Sequence, residues 1–203
     1  MEKQLILINE SDEVIGYGEK LLTHQRRQLH RAFSIFVFDK YTKKLLLQQR
    51  ALNKYHSGGL WSNTCCSHPY KGESLIQSLS RCMLDEIGIT LMVPDYYFIA
   101  TRKEETIICK NGIVEFAGKY RYSSSYGELG EDEIDYVFTF LPDLRTIDSI
   151  VFNPAEINAL KWTDLTHLEK WFTSSPNQFT SWFCGTYSIV RPFLISAMEA
   201  SNN

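Results

Sequence analysis

The spacing of apolar residues divides the chain into strands, one long loop and helices. Gln4 to Asn9 (QLILIN) is a short strand pattern, and the polar trio Ser11-Asp12-Glu13 turns it toward Val14-Ile15-Gly16. Ala32 to Phe38 sets phenylalanines at 33, 36 and 38 beside Ile35 and Val37, a nearly continuous apolar run of the kind buried on both faces. Lys44 to Gln49 follows the polar turn Asp39 to Lys43, which predicts a hairpin. Residues 51–72 read as loop, yet they hold Gly58-Gly59, Trp61, Cys65, Cys66, His68 and Pro69. From Glu73 to Ile87 the period becomes helical, with Leu75, Ile76, Leu79, Cys82, Met83 and Ile87 on one stripe and Gly88 as the stop.

Further strands are expected over Tyr96–Thr101, Thr106–Lys110, Ile113–Phe116, Ile134–Leu141 and Ala159–Trp162, with Asn111-Gly112 as a hairpin signal. Thr163-Asp164 can cap a helix running to Phe172, and a last helix covers Tyr187 to Glu199, kinked or started at Pro192. Strands early and helices late give an α+β layout on a mixed sheet. No repeat or linker divides the chain, so residues 1–203 are expected to form a single catalytic domain.

Composition narrows the chemistry. Hydrophobic residues make up 44% and charged residues 22%, which excludes disorder and coiled coil. A net charge of −3 supplies no broad basic field, so neither nucleic acid nor an anionic membrane is an expected partner, and an anionic ligand must meet a local cluster. The longest apolar runs fall short of a bilayer span, and Met-Glu-Lys before a strand is not expected to be a targeting segment. Five cysteines, an odd number with Cys65 and Cys66 adjacent, suggest free thiols in a reducing compartment; the expected location is cytoplasmic.

Several groups could carry chemistry. Arg81 and Asp85 lie four apart on the expected helix and Glu86 projects from its last turn, either a metal–diphosphate platform or a surface helix with one ion pair. His24, His30 and His68 with Glu131 and Glu133, two apart and thus on one side of a strand, offer a nitrogen–oxygen set suited to manganese, magnesium or zinc. Separately each histidine could equally be a cap or core group, and Glu128 to Asp135 a solvated acidic loop. Cys66, two residues before His68, is the candidate reactive thiol; Cys65, Cys82, Cys109 and Cys184 read as inert and buried. Trp182 offers either core packing or a π face to a cation. Lys20, Arg50, Lys54 and Arg81 would form a polyanion clamp if the fold gathers them.

The stretches Leu29-His30-Arg31-Ala32-Phe33-Ser34, Leu60-Trp61-Ser62-Asn63-Thr64-Cys65-Cys66-Ser67-His68-Pro69, Gly72-Glu73-Ser74 and Glu131-Asp132-Glu133 resemble isopentenyl-diphosphate isomerase of the metal-dependent, Nudix-fold class (type I). The resemblance runs from about Asn9 to Trp182 and includes a degenerate Nudix box: Glu73, Arg81, Glu86 and Gly88 match it, Asp85 substitutes conservatively, and Ser67 and Cys82 depart from it. It implies a Nudix-like α/β/α sandwich with an added hairpin near residues 104–118.

The resemblance also implies roles. His24, His30, His68, Glu131 and Glu133 would hold Mn2+ or Zn2+; Glu86, with the Cys66 carbonyl, would hold Mg2+; Lys20, Arg50, Lys54 and Arg81 would hold the diphosphate. Cys66 and Glu133 would stand on opposite faces of the allyl unit, the glutamic acid made more acidic by the metal and the thiolate accepting a proton. Tyr122 would assist the acid side and Trp182 would cover the cationic carbon. The partner would be a small prenyl diphosphate and the protein a monomer or weak dimer. A Nudix pyrophosphohydrolase acting on a nucleoside or prenyl diphosphate is the alternative, although Cys82 removes a carboxylate that hydrolysis uses; a silent binding module is a third.

Overall fold

The computed structural model describes residues 3–92, 99–101, 104–147 and 149–200. In chain order the elements are β1 (Gln4–Ile8), β2 (Val14–Glu19), α1 (Lys20–Gln25), β3 (His30–Asp39), β4 (Lys44–Arg50), β5 (Trp61–Ser62), β6 (Cys65–Ser67) and α2 (Leu75–Ile87). They continue with β7 (Ile99–Thr101), β8 (Glu104–Cys109), β9 (Gly112–Tyr126), β10 (Leu129–Pro142), β11 (Ile157–Asp164), α3 (Leu165–Ser174) and α4 (Phe183–Ala200). The main sheet runs β11-β4-β3-β10-β9-β8-β7, with β6 and β1 also on β3, β2 on β1 and β5 on β4. Only the β3–β10 pairing is parallel among the described ladders, so the sheet is mixed.

Strand β3 is buried on both faces, as its continuous apolar run predicts. Phe33, Ile35 and Val37 face a core closed by Leu79, Cys82, Met83 and Ile87 of α2. Phe36 and Phe38 face a second core closed by Leu165 and Leu168 of α3 and Phe183, Val190 and Leu194 of α4. Helices on both faces of one sheet give the α/β/α sandwich.

Local chemistry sets the helix ends. The Ser74 side chain accepts the Gln77 amide hydrogen while the Gln77 side chain accepts from the Ser74 backbone, and Gly88 ends α2 at φ 71°. The helix therefore begins at Leu75 rather than Glu73. Asp164 caps α3 as expected. Helix α4 begins at Phe183, earlier than Tyr187, because Phe183 is core, and Pro192 lies inside it rather than at its start. A Cβ on Gly185 would lie 1.9 Å from the Tyr120 ring, so a glycine lets β9 approach the helix.

Other boundaries differ from the sequence pattern. The hairpin turn falls on Lys110 and Asn111, and Gly112 already pairs with Cys109. Asn111 instead ties the hairpin to the segment after α2, donating to the Thr90 carbonyl at 2.7 Å and accepting from the Met92 amide at 3.1 Å. Strand β9 runs to Tyr126, far beyond Phe116. Glu128 to Asp135 is largely strand rather than solvated loop, because Glu131, Glu133 and Asp135 are buried. The strand expected over Tyr96–Thr101 lies partly outside the described residues; Ile99–Thr101 forms β7.

Asp12, at the β1–β2 turn with φ 61°, ties three strands together. Its carboxylate accepts from Arg31 of β3 at 2.7 Å, Lys119 of β9 at 2.6 Å and the Tyr136 hydroxyl of β10. Burial alone would raise its pKa, yet these bonds hold the carboxyl below its usual value. Its contribution is thus complete at neutral pH and fades as pH falls through the depressed pKa. Asp12→Asn, which tolerates the left-handed backbone, is expected to cost about 1–3 kcal/mol in urea unfolding at pH 7. A loss below about 0.5 kcal/mol contradicts that role.

Candidate active site

The site forms where β10 crosses from β3 to β9. Glu133 lies opposite His30 of β3 in the parallel ladder and opposite Tyr122 of β9 in the antiparallel one. Neighbouring strands therefore bring an imidazole and a phenol to one carboxylate. Glu131, two residues earlier, shares its side of the strand. Helix α1 adds His24: the Glu19 side chain caps it, accepting from the Leu21 and Leu22 amides at 2.9 and 2.8 Å. His68 arrives just beyond β6.

These five residues are buried, and one ligand atom from each lies within 4.8 Å of all the others. Glu133 Oε1 lies 3.1 Å from His30 Nε2 and 2.8 Å from His68 Nε2, while Oε2 accepts from the Tyr122 hydroxyl at 2.6 Å. His24 Nδ1 contacts the Lys20 carbonyl and His30 Nδ1 the Gln28 carbonyl. A carbonyl can only accept, so both Nδ1 atoms carry the hydrogen and both Nε2 atoms face the cluster. His24 Nε2 and Glu131 Oε2 stand 3.1 Å apart, yet both are buried without a hydrogen bond. Two unpartnered buried atoms within one compact group of imidazole nitrogens and carboxylate oxygens make a donor set that fits a divalent cation.

Electrostatics follow from the burial. Glu133 would be raised by burial, but the hydrogen bond and charge of His30, together with the hydrogen bonds of its other neighbours, Tyr122 among them, outweigh it and bring the carboxyl down to about 2. His30 is in turn raised by Glu133 against its own desolvation. Burial, then the charge of Lys20, drives His68 well down, which keeps its imidazole neutral.

A cavity of about 320 Å³ opens beside the cluster, and all four expected cations, Lys20, Arg50, Lys54 and Arg81, line it. They are not equally free. Arg81 binds Glu73 at 2.8 and 2.9 Å, donates to the His68 carbonyl at 3.0 Å and lies over the Tyr70 ring. Its expected pairing with Asp85 is replaced by this bond to Glu73, and Asp85 is exposed. An Arg preceding its acid by four is the weaker helix orientation, and Glu73 offers a two-toothed contact. Lys54 pairs with Glu156. Arg50 keeps a buried Nε without a hydrogen-bond partner.

Glu86 also lines this cavity, its carboxylate accepting from Gln48 Nε2 at 3.2 Å. Burial and then Glu156 push its pKa up to about 7. Cys66 lies 3.9 Å from Arg50 Nη1. It and Glu133 reach the cavity from opposite flanks of β3, Cys66 opposite Ser34 on β6 and Glu133 on β10. Burial pushes the Cys66 thiol up, against the pull of Arg50. Trp182 is buried at the cavity wall, donating to Asn63 Oδ1 at 3.1 Å, with Arg50 5.3 Å from its ring.

Sequence reasoning missed His56. Its Nε2 lies 2.8 Å from Glu131 Oε1, and its ring stacks on Tyr126 at 4.5 Å. No local spacing marks it, because its partner comes from β10. Glu156, which holds Lys54, was equally silent. Cys65, Cys82 and Cys109 are buried as expected, but Cys184 is exposed on the first turn of α4.

Residues 28–101 match the NUDIX domain. The chain is similar to isopentenyl-diphosphate Delta-isomerase 2 of Aromatoleum aromaticum, 39% identical over 90% of this chain and 83% of that protein. It is also similar to isopentenyl-diphosphate Delta-isomerase of Burkholderia multivorans, 38% identical over 90% of each. Among solved structures, protein DR0079 from Deinococcus radiodurans superposes with TM-score 0.57 at 15% identity, over 85% of this chain and 90% of that one. A MutT protein from Methanosarcina mazei does so with TM-score 0.52 at 16% identity, over 86% and 96%. Both show the shared fold.

The raised Cys66 thiol gives a direct check. In metal-free protein its iodoacetamide alkylation, followed by mass spectrometry, is expected to keep climbing above pH 9, where an ordinary thiol of pKa about 8.5 has begun to level off. A plateau near pH 8.5 contradicts the effect of burial.

Proposed function

The chain belongs to the isopentenyl-diphosphate Delta-isomerase family, and we propose how its side chains divide the work of converting isopentenyl diphosphate to dimethylallyl diphosphate. The observation carrying this division is that Glu133, tied to two imidazoles and a phenol, reaches the same cavity as Cys66 from the other flank of β3.

Moving the double bond requires adding a proton at one carbon and removing one at another. Cys66 and Glu133 are the two exchange partners. In the free protein burial keeps the proton on Cys66, while His30 keeps Glu133 ionised. For Glu133 to act as the donor it must gain a proton, and Cys66 must give one up to solvent. The half-buried Tyr122, donating to Oε2, is placed to pass Glu133 its proton. Arg50, 3.9 Å from Cys66 Sγ, favours the thiolate that then accepts the proton leaving the substrate. Trp182 shields the developing tertiary cation, because an aromatic face attracts positive charge without capturing it.

His24, His30, His68, Glu131 and Glu133 would hold Mn2+ or Zn2+, and Glu86 with the Cys66 carbonyl would hold Mg2+; these cations, when bound, supply charge that acidifies the glutamic acid and neutralises the diphosphate. Arg50, with its free Nε, and Lys20 bind diphosphate oxygens directly. Lys54 does so by exchanging Glu156 for the substrate. Arg81, held by Glu73, contributes field and fixes the His68 segment. Five free thiols fit a cytoplasmic setting. The pyrophosphohydrolase alternative has less support, since Cys82 stands in the cavity wall where that chemistry would use a carboxylate.

Incubation with isopentenyl diphosphate and Mg2+ in deuterium oxide, followed by proton and phosphorus NMR, is expected to yield the dimethylallyl isomer with deuterium in its methyl groups and no free phosphate. Phosphate release contradicts the isomerase reading. Cys66→Ala is expected to lower turnover by about 10²-fold or more while keeping its metal content; full activity contradicts the role of Cys66.

A further inference from the structure

Two thiols and a carboxylate meet at the boundary between the cavity and the core beneath α2. Cys82 and Glu86 are four residues apart on α2, and so share one face. Cys65, on β6 opposite Ile35, comes up to them from the sheet. Cys82 Sγ lies 3.4 Å from Glu86 Oε1. A ligand atom from each of the three lies within 4.8 Å of the other two, and all three residues are buried. Neither Cys65 nor Cys82 has a part in the isomerisation described above.

We propose that Cys65, Cys82 and Glu86 form a binding site for one thiophilic cation of the Zn2+ or Cd2+ class, separate from the histidine cluster. The first support is size. Around tetrahedral zinc, with Zn–S near 2.3 Å and Zn–O near 2.0 Å, sulfur and oxygen ligands sit about 3.5 Å apart and two sulfurs about 3.8 Å. The Cys82–Glu86 separation already matches such an edge, and the limit on the whole triad admits the other two.

Ligand chemistry is the second support. Soft thiolates select zinc-like ions over magnesium, in contrast to the imidazole and carboxylate set around Glu133. Gln48 donates to Glu86 Oε2 at 3.2 Å, which holds the carboxylate plane and leaves Oε1 turned to Cys82. Access is the third. Cys82 and Glu86 line the cavity, so an ion can enter there and take its fourth ligand from the solvent it holds. Binding releases the two thiol protons to solvent. Arg50 and Lys54, whose positive charges act on Glu86, offset the negative charge left on the ligands. If Glu86 serves Mg2+ as proposed above, the two cations compete for it; the competition rests on that reading, whereas the binding site does not.

The test is a Cd2+ titration of the full-length protein. The thiolate-to-cadmium charge-transfer absorption reports sulfur ligation alone and is blind to the histidine cluster. Wild type and Cys66→Ala are both expected to develop the band and to saturate it, with the histidine cluster taking up a further equivalent that does not contribute to it. Cys65→Val and Cys82→Val, checked for folding by circular dichroism, are each expected to weaken the binding it reports by at least tenfold. Without any substitution, cadmium-113 NMR of the wild type is expected to show one resonance in the range of mixed sulfur and oxygen ligation. No band in the wild type, a band lost in Cys66→Ala, one unchanged in Cys65→Val and Cys82→Val, or a cadmium resonance confined to nitrogen and oxygen ligation overturns the proposal. Isomer formation, followed separately without cadmium, tests the proposed reaction and leaves this site standing or falling on its own result.

Discussion

Two carboxylates buried side by side in a β-sheet are the constraint on which this structure turns. Glu131 and Glu133 are each 4% exposed, and a buried carboxylate without partners is among the most costly groups a fold can contain. Partners therefore crowd around them. His30, His68 and Tyr122 converge on Glu133, and His24 and His56 on Glu131. The residual mismatch, a nitrogen and an oxygen facing each other without a hydrogen bond, is what a cation between them would resolve. Removing one imidazole would leave a buried charge exposed to its neighbour, so the cluster is a unit rather than a sum of pairs.

The sheet makes that convergence possible. Strand β3 runs its Phe33–Phe38 segment through two cores, and that double burial fixes its register against β10. A shift by one residue would turn both carboxylates to the opposite face or send the side chains of β3 into the wrong one of its two cores. The same strand carries His30 at one end and, through β6, the Cys66 flank of the cavity. The groups proposed to react therefore stand on the sheet, while the cations Lys20, Arg50 and Lys54 that line the cavity come from α1, β4 and the loop after it. Arg81 and Lys54 are held by their own carboxylates, which leaves Arg50, with its unpartnered Nε, as the less constrained of the guanidinium groups at the cavity.

Much of this was legible along the chain because it is local. The period of α2, its Gly88 stop, the doubly buried β3 and the hairpin of β8 and β9 all follow from neighbouring residues. The Trp61–Pro69 block and Glu131-Asp132-Glu133 carried the family resemblance and named Cys66, His68 and Glu133 by position. Other features depend on distant partners. The acidic stretch before Ile134 looked like a solvated loop, since only the histidines from β3, α1 and the Cys66 loop make its burial affordable. His56 has no neighbour that hints at Glu131. Arg81 had a plausible partner in Asp85, and the preference for Glu73 depends on how the chain enters α2. The expectation of an inert, buried thiol failed at Cys184 because α4 starts earlier than its apolar pattern suggested.

The central claim is that the imidazoles and carboxylates gathered at β10 form one metal centre. Titrating metal-free protein with Mn2+ and recording pulsed electron paramagnetic resonance tests it directly. The account predicts one tightly held ion with couplings from histidine nitrogens, weakened in Glu131→Gln and His24→Ala. A tightly bound Mn2+ without nitrogen coupling, or one unaffected by both substitutions, would contradict it.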